Sequence, residues 1–300
     1  MNVLDCIVIG GGPAGLSTSL TLGRARRTIA LFDDGTNRNR VTQEAHGFIT
    51  RDGIKPQVLR ELGLKELANY PSITYIQATV TEIIKNSNNH FVVKASNNQE
   101  YVAEKIVLAC GIQEEFSLPS IRAFYGKSLF SCPYCDGWEQ RDQPLVVIAE
   151  KEEHALHLAQ VVYNWSRDLV VLTNGVPLSQ EGVATLEKRN IKVRCEAIKE
   201  LVGKDGYLQK IELVTGETII RSGGFVAPTY YRPNHFAEKL GCELHENGKV
   251  LTDGVGRTTQ KNIYIAGETE KSKPTSLLIS AAKGNKAAVS VNTDLTMERF

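Results

Sequence analysis

No stretch of the sequence approaches the roughly 18 consecutive apolar residues of a membrane span. The start, Met1-Asn2-Val3-Leu4-Asp5, lacks the basic residues and long apolar run of a secretory signal. Neither sign of charge prevails: 35 Lys and Arg stand against 34 Asp and Glu, a net charge of +1. Domains that bind nucleic acid are usually strongly basic. Cysteine is sparse, six in 300 residues, too few for the disulfide scaffold of a secreted protein. There is no low-complexity tract, and 42% hydrophobic with 23% charged residues excludes a disordered chain. These absences predict a cytoplasmic globular protein of about two domains, with no nucleic acid and no membrane as partner. Any close cysteine pair in a reducing compartment is then weighed as a metal site or a redox centre.

The chain opens on a short apolar run from Asp5 to Ile9, fit for a buried parallel strand. Gly10-Gly11-Gly12-Pro13-Ala14-Gly15 follows at once, then a helix predicted over Leu16 to Arg24 and a second strand over Arg27 to Asp33. In a Gly-x-Gly-x-x-Gly turn so placed, Gly10 permits the tight exit from the strand. Gly12 lets backbone approach a pyrophosphate, and Gly15 lets the helix pack close to the strand. The helix N-terminus presents free N–H groups to the anion. Asp33 ends the second strand at about the twenty-residue separation expected of a ribose-binding acid.

Residues 73–84 and 90–109 alternate in polarity around the turn Asn86-Ser87-Asn88-Asn89, which predicts a small β-meander beginning with Ile73–Ile76. A second strand–helix–strand unit is predicted from Leu145–Ile148, Ala155–Trp165 and Leu169–Leu172. Asn262 to Gly267 reads as a buried strand, and Ser276 to Leu295 as a long helix with small residues on one face. The fold class expected is α/β, with two Rossmann-like doubly wound domains, the second inserted in the first, and small β-meanders. Residues 1–115 and 244–300 form the first domain in this division and 116–243 the second.

Between the two units lies Ser131-Cys132-Pro133-Tyr134-Cys135-Asp136-Gly137-Trp138. Zinc needs four ligands, and no second Cys-x-x-Cys exists; Cys6, Cys110, Cys195 and Cys242 stand singly. An inert buried pair leaves the spacing unexplained. A redox disulfide suits it, because two intervening residues can hold the sulfurs within bonding distance and a helix start lowers a thiol pKa. Pro133 suits the first helical position, Gly137 would limit the helix to a short turn, and Asp136 is an acid placed to handle thiol protons. The six histidines form no metal pattern; His154 and His157, three apart on a predicted helix, read as solvated surface.

With these motifs in this order, and with the late Ala266-Gly267-Glu268, the whole chain resembles the low-molecular-weight thioredoxin reductase family of flavoprotein disulfide reductases. The resemblance implies FAD as cofactor and a homodimer. It places Cys135 nearest the flavin, has Cys132 exchange with the partner disulfide, and makes Asp136 the acid–base. It assigns FAD binding to Gly10, Gly12, Pro13, Ala14, Gly15, Asp33, Asn39, His46, Val80, Gly111, Gly267, Glu268, Ser276 and Leu277, and places the whole segment from Asn37-Arg38-Asn39-Arg40 through His46-Gly47-Phe48 against the cofactor. Two family positions differ: Gly-Asp is Gly267-Glu268 here, and Ala-Thr-Gly is Ala109-Cys110-Gly111.

The larger departure is in the second unit, where the family's NADPH turn reads Gly-x-Gly-x-x-Ala. Here the motif positions fall on Ala149, Lys151 and His154, and the turn carries three glutamates, one lysine and no glycine. Thr173 to Glu187 contains no Arg or Lys for a 2′-phosphate. The expected function is therefore thiol–disulfide exchange through FAD and the cysteine pair, acting on a thioredoxin-like protein or a small disulfide or dithiol. A protein carrier such as ferredoxin is the expected donor in place of NADPH. The alternatives are a dithiol oxidase passing electrons to oxygen, an ordinary NADPH-dependent reductase with a variant turn, and a binding protein without activity. His46-Gly47-Phe48-Ile49-Thr50-Arg51-Asp52-Gly53 resembles a stretch of the dithiol-oxidase branch. Tyr230-Tyr231-Arg232-Pro233 reads as a loop at the mouth of the second unit, docking a partner or covering an edge. Phe300 ends a polar tail, either frayed or stacked on a flavin.

Overall fold

The apolar run Leu4–Ile9 is buried beyond its first residue and lies inside a seven-stranded sheet. This is seen in a computed structural model that describes residues 2–270 and 274–300. Parallel strands run in the order Ile73–Gln77, Ile29–Asp33, Leu4–Ile9 and Glu100–Leu108. The last of these pairs with Leu4–Ile9 along one edge and divides its other edge between two further strands. Its first half pairs antiparallel with Phe91–Ala95, which pairs with Val80–Lys85, while Ile106–Leu108 pairs in parallel with Ile263–Ile265. Ile73–Gln77 thus belongs to the parallel sheet and not to the meander. The unanticipated helix Pro56–Leu67 precedes it and supplies the crossover that a parallel partner requires.

Two helices, Pro13–Arg24 and Leu277–Arg299, cover one face of this sheet. Val8, Leu22, Leu31, Ala287, Val291 and Leu295 form the core there, and Ile7, Phe32, Phe91, Val93 and Ile106 belong to a second core cluster. The small face of the last helix allows close approach. A Cβ on Gly284 would stand 2.1 Å from the Ala14 carbonyl oxygen, and Thr18 Oγ1 donates to Gly284 O at 3.0 Å. Ser276 lies just outside this helix as its cap, accepting from Ile279 N at 3.2 Å.

The second sheet has five parallel strands in the order Lys192–Arg194, Leu169–Leu172, Leu145–Ile148, Gly223–Val226 and Leu129–Phe130. Ile198–Lys204, Tyr207–Leu213 and Thr218–Ile220 form a separate antiparallel meander. The helix after Leu145–Ile148 begins at Glu152, three residues before its predicted start. The chain forms two compact units: residues 1–40, 56–113 and 230–300, and residues 41–55 and 114–229. The return crossing falls between Thr229 and Tyr230 rather than after residue 243, and residues 41–55 go with the second unit. A Cβ on Gly126 would meet the Val41 carbonyl oxygen at 2.4 Å, a measure of how closely that excursion packs. Among the described residues, no helix is long and apolar enough to cross a membrane.

Candidate active site and cofactor cavity

In the first unit, the C-terminal ends of the parallel strands open onto a cavity. It is lined by Gly10, Gly12, Pro13, Ala14, Asp33, Asn39, Val80, Gly111, Glu268 and Leu277 from the predicted set. The three turn glycines do different work. Gly10 has φ +109°, and a Cβ there would stand 2.4 Å from Ala109 O. A Cβ on Gly15 would stand 1.7 Å from Gly10 O, so Gly15 is a packing residue and not part of the lining. A Cβ on Gly12 or Gly111 meets nothing within 4 Å. Gly12 is also the N-cap of Pro13–Arg24 and no side chain caps that terminus, which leaves first-turn N–H groups for an anion. This open, donor-rich cradle fits the pyrophosphate of FAD.

Asp33 is buried and committed on both oxygens. It accepts from Gly35 N at 3.2 Å and from Arg60 Nε at 2.7 Å, and Arg60 also donates to Tyr75 OH at 2.7 Å. Arg60 escaped the sequence reading because its helix was not anticipated. Arg60→Met should lower the stability of this unit by about 1–3 kcal/mol, since it removes the charged partner of a buried carboxylate. Denaturant unfolding of the purified variant measures this.

Glu268 spans its extra methylene by reaching Arg38 at 2.9 Å and Thr275 N at 2.6 Å. Gly267, with φ +67°, packs against Ala14 outside the lining, and Ser276 is likewise outside it. Arg38, from the segment expected against FAD, lines the cavity, and Cys110 and Asn234 are further lining residues that were not assigned to the cofactor. Burial pushes the Cys110 thiol up to about 11, so it stays a neutral thiol. The Tyr230–Pro233 segment belongs to this unit and not to the mouth of the second. Pro233 lines the cavity, and the Arg38 guanidinium lies 5.9 Å from the Tyr230 ring centre. Phe300 is fully exposed at the opposite end of the sheet, where Glu298 holds Lys105 and Arg299 holds Asp5 and Glu104.

In the second unit, Cys132 and Cys135 form a disulfide with Cα atoms 5.3 Å apart. Cys132 is the N-cap of the short helix Pro133–Asp136, with Pro133 in its first turn. Gly137 has an ordinary negative φ. What requires glycine is proximity, because a Cβ there would meet Pro133 O at 2.4 Å and the Trp165 ring at 2.7 Å. Tyr134, between the two cysteines, and Trp138, three residues beyond them, are largely exposed, Tyr134 in a T-shaped contact with Trp165 and Trp138 beneath the Arg141 guanidinium. Asp136 follows the pair, and burial first, then the charge of Glu139, push its carboxyl up to about 7. His46 is not in the cofactor cavity. It belongs to the second unit, 3.6 Å from Glu44 and Glu139 and 3.7 Å from Asp52.

The turn from Ile148 to Glu152 spans the same number of residues as that from Ile9 to Pro13, with Lys151 at the N-cap position of Gly12. The backbone differs, because Ala149 does not adopt the positive φ of Gly10. Its carboxylates are engaged within the unit. Glu150 accepts from Ser117 Oγ at 2.6 Å and Asn174 Nδ2 at 2.7 Å, and Glu152 accepts from Ser179 Oγ at 2.6 Å and Ser179 N at 2.8 Å. The Ser179 hydrogen bonds, side chain then backbone, hold the Glu152 carboxyl below its usual range.

Residues 4–284 match the family described as pyridine nucleotide-disulphide oxidoreductase. Among solved structures, the Bacillus anthracis protein TrxB, assigned by name to the thioredoxin reductases, is 56% identical with a TM-score of 0.97, covering 99% of this chain and 100% of that one. HlmI is 32% identical with a TM-score of 0.91, covering 99% of this chain and 94% of that one. Thioredoxin reductase aclD from Aspergillus oryzae is 28% identical over 99% of this chain and 98% of its own length.

Proposed function

The chain belongs to the pyridine nucleotide-disulphide oxidoreductase family, as an FAD-dependent disulfide oxidoreductase of the thioredoxin-reductase type, and we propose that it exchanges thiols and disulfides without a nicotinamide donor. Cys132 attacks or is attacked by the partner sulfur, Cys135 is the leaving or resolving sulfur, and Asp136 carries the proton. Gly10, Gly12, Pro13 and Ala14 hold the FAD pyrophosphate, with Asp33, Asn39, Val80, Gly111, Glu268 and Leu277 around the rest of the cofactor. Bound FAD supplies the two-electron store against which the pair is oxidised or reduced. A thioredoxin-like protein or a small disulfide is the substrate, a ferredoxin-type carrier the donor, and the working form a cytoplasmic homodimer.

The observation that carries the donor assignment is the Glu150 network. A phosphate about 4 Å from that carboxylate would be repelled by about 4 kcal/mol at an effective dielectric near 20. That is roughly a thousandfold in affinity, on top of the backbone donors lost with the glycines. Anaerobic mixing with NADPH, reduced ferredoxin and dithiothreitol, followed at the flavin absorption band, tests it. Neither NADPH nor NADH should bleach the flavin at a useful rate, whereas the carrier or the dithiol should. Rapid bleaching that saturates at low NADPH overturns the assignment. A second reading, dithiol oxidation with oxygen as acceptor, draws on the 46–53 segment; dithiol-dependent oxygen uptake would favour it.

A further inference from the structure

Glu139 and His46 have no part in the exchange chemistry above, yet Glu139 follows its proton carrier by three residues and His46 stands 3.6 Å from Glu139. His46 reaches across from the excursion 41–55 to Glu139, and its other neighbours are Glu44 and Asp52. Glu139 follows Asp136 by three residues, on a chain still turning after the short helix, with Gln140 N donating to Asp136 O at 3.3 Å. The spacing puts two carboxyls on one side of the turn. They differ in setting: Glu139 is over a third exposed and has the His46 ring at hand, while Asp136 is more deeply set. Two adjacent carboxyls do not both ionise freely, and the one that keeps its proton is the less solvated one.

We propose that Glu139 is a positioning residue for Asp136: steadied by His46, it carries the negative charge of the two carboxyls and leaves Asp136 as the acid that serves the Cys132–Cys135 disulfide. The inference rests on the exchange reading above. In the reverse of substrate reduction, the direction that a dithiol drives, a partner thiolate attacks Cys132 Sγ, the Sγ–Sγ bond breaks, and the electron pair leaves on Cys135 Sγ. Cys135 takes the proton of Asp136, and the partner is joined to Cys132 in a mixed disulfide. The partner's second thiol then gives its proton to the Asp136 carboxylate and attacks its own linked sulfur. Cys132 leaves as a thiolate. The partner has been oxidised by two electrons, the pair reduced by two, and Asp136 is an acid again. The elevated Asp136 pKa, to which the Glu139 charge contributes, agrees with this division.

Infrared difference spectra between the holoprotein and its Asp136→Asn variant, taken across pH, follow the Asp136 carboxyl directly. The midpoint should lie near 7 in the parent protein. Glu139→Gln should lower it by roughly half a unit to one unit, burial retaining the rest, and Glu139→Asp should restore much of the shift. The pH profile for reduction of the disulfide by dithiothreitol should move with it. An unchanged midpoint in Glu139→Gln, or Glu139→Asp behaving like Glu139→Gln, overturns the proposal. A parent protein that titrates as expected but whose disulfide resists every dithiol overturns the exchange reading instead.

Discussion

Serine at Cys132 or at Cys135 is expected to lower disulfide turnover by at least roughly a thousandfold, since each removes a sulfur that must bond covalently in the exchange. The two variants should differ in colour. Cys132→Ser retains Cys135 as the sulfur that the family places nearest the flavin, and a long-wavelength absorption band should develop in its purified holoprotein. Cys135→Ser should lack that band. Of the four remaining cysteines, Cys6 and Cys242 are buried with thiols pushed up by desolvation, Cys110 is pushed up to about 11, and Cys195 is half-buried after the edge strand Lys192–Arg194. Identical spectra in both variants, or stoichiometric zinc in the parent, would show that the roles are misassigned.

Gly12→Val should yield colourless protein, with FAD affinity lower by at least about a hundredfold, or ~2.8 kcal/mol at 1.4 kcal/mol per factor of ten. The variant separates binding from folding. Gly12 has φ −74°, which valine tolerates, and its Cβ would enter open space. The apoprotein should therefore unfold at the same denaturant concentration as parent apoprotein. Gly15→Ala is the contrasting control, because its Cβ would stand 1.7 Å from Gly10 O and overpacking of this kind costs about 1–3 kcal/mol or more. Full flavin content in Gly12→Val would remove the cofactor assignment of this turn.

What could be read from the sequence was local. The Gly10–Gly15 turn, the flanking strands and the Cys132–Cys135 pair are continuous in sequence, so motif and structure coincide there. His46 was misplaced because a continuous segment, 37–48, was expected to stay on one unit, whereas the chain leaves the first unit after Arg40. Gly15 and Gly267 belong to the motif but serve close packing, a distinction that only three-dimensional approach reveals. Arg60 was missed with its helix, whose buried residues are only Pro56 and Leu67, too few for a strong periodic signal. The meander from Ile198 to Ile220 was not located: its alternation is present, but Lys199, Glu200, Lys204, Lys210 and Glu212 dilute it. The replacement of Gly10–Gly12 by Ala149–Lys151 was visible at once. The partners of Glu150, Ser117 and Asn174, come from distant segments and were not.

The dual pairing of Glu100–Leu108 also imposes an order on synthesis. Its C-terminal half waits for Ile263–Ile265, and the core around Val8 and Leu22 waits for Ala287, Val291 and Leu295. Every residue of the second unit has been made by Thr229. On a ribosome that adds residues one at a time, the unit whose strands appear first is therefore the last to close. Until it does, the strand edge at Ile106–Leu108 and the apolar face of Pro13–Arg24 stand uncovered, and a nascent chain halted near residue 260 is the form of this protein that most needs a chaperone.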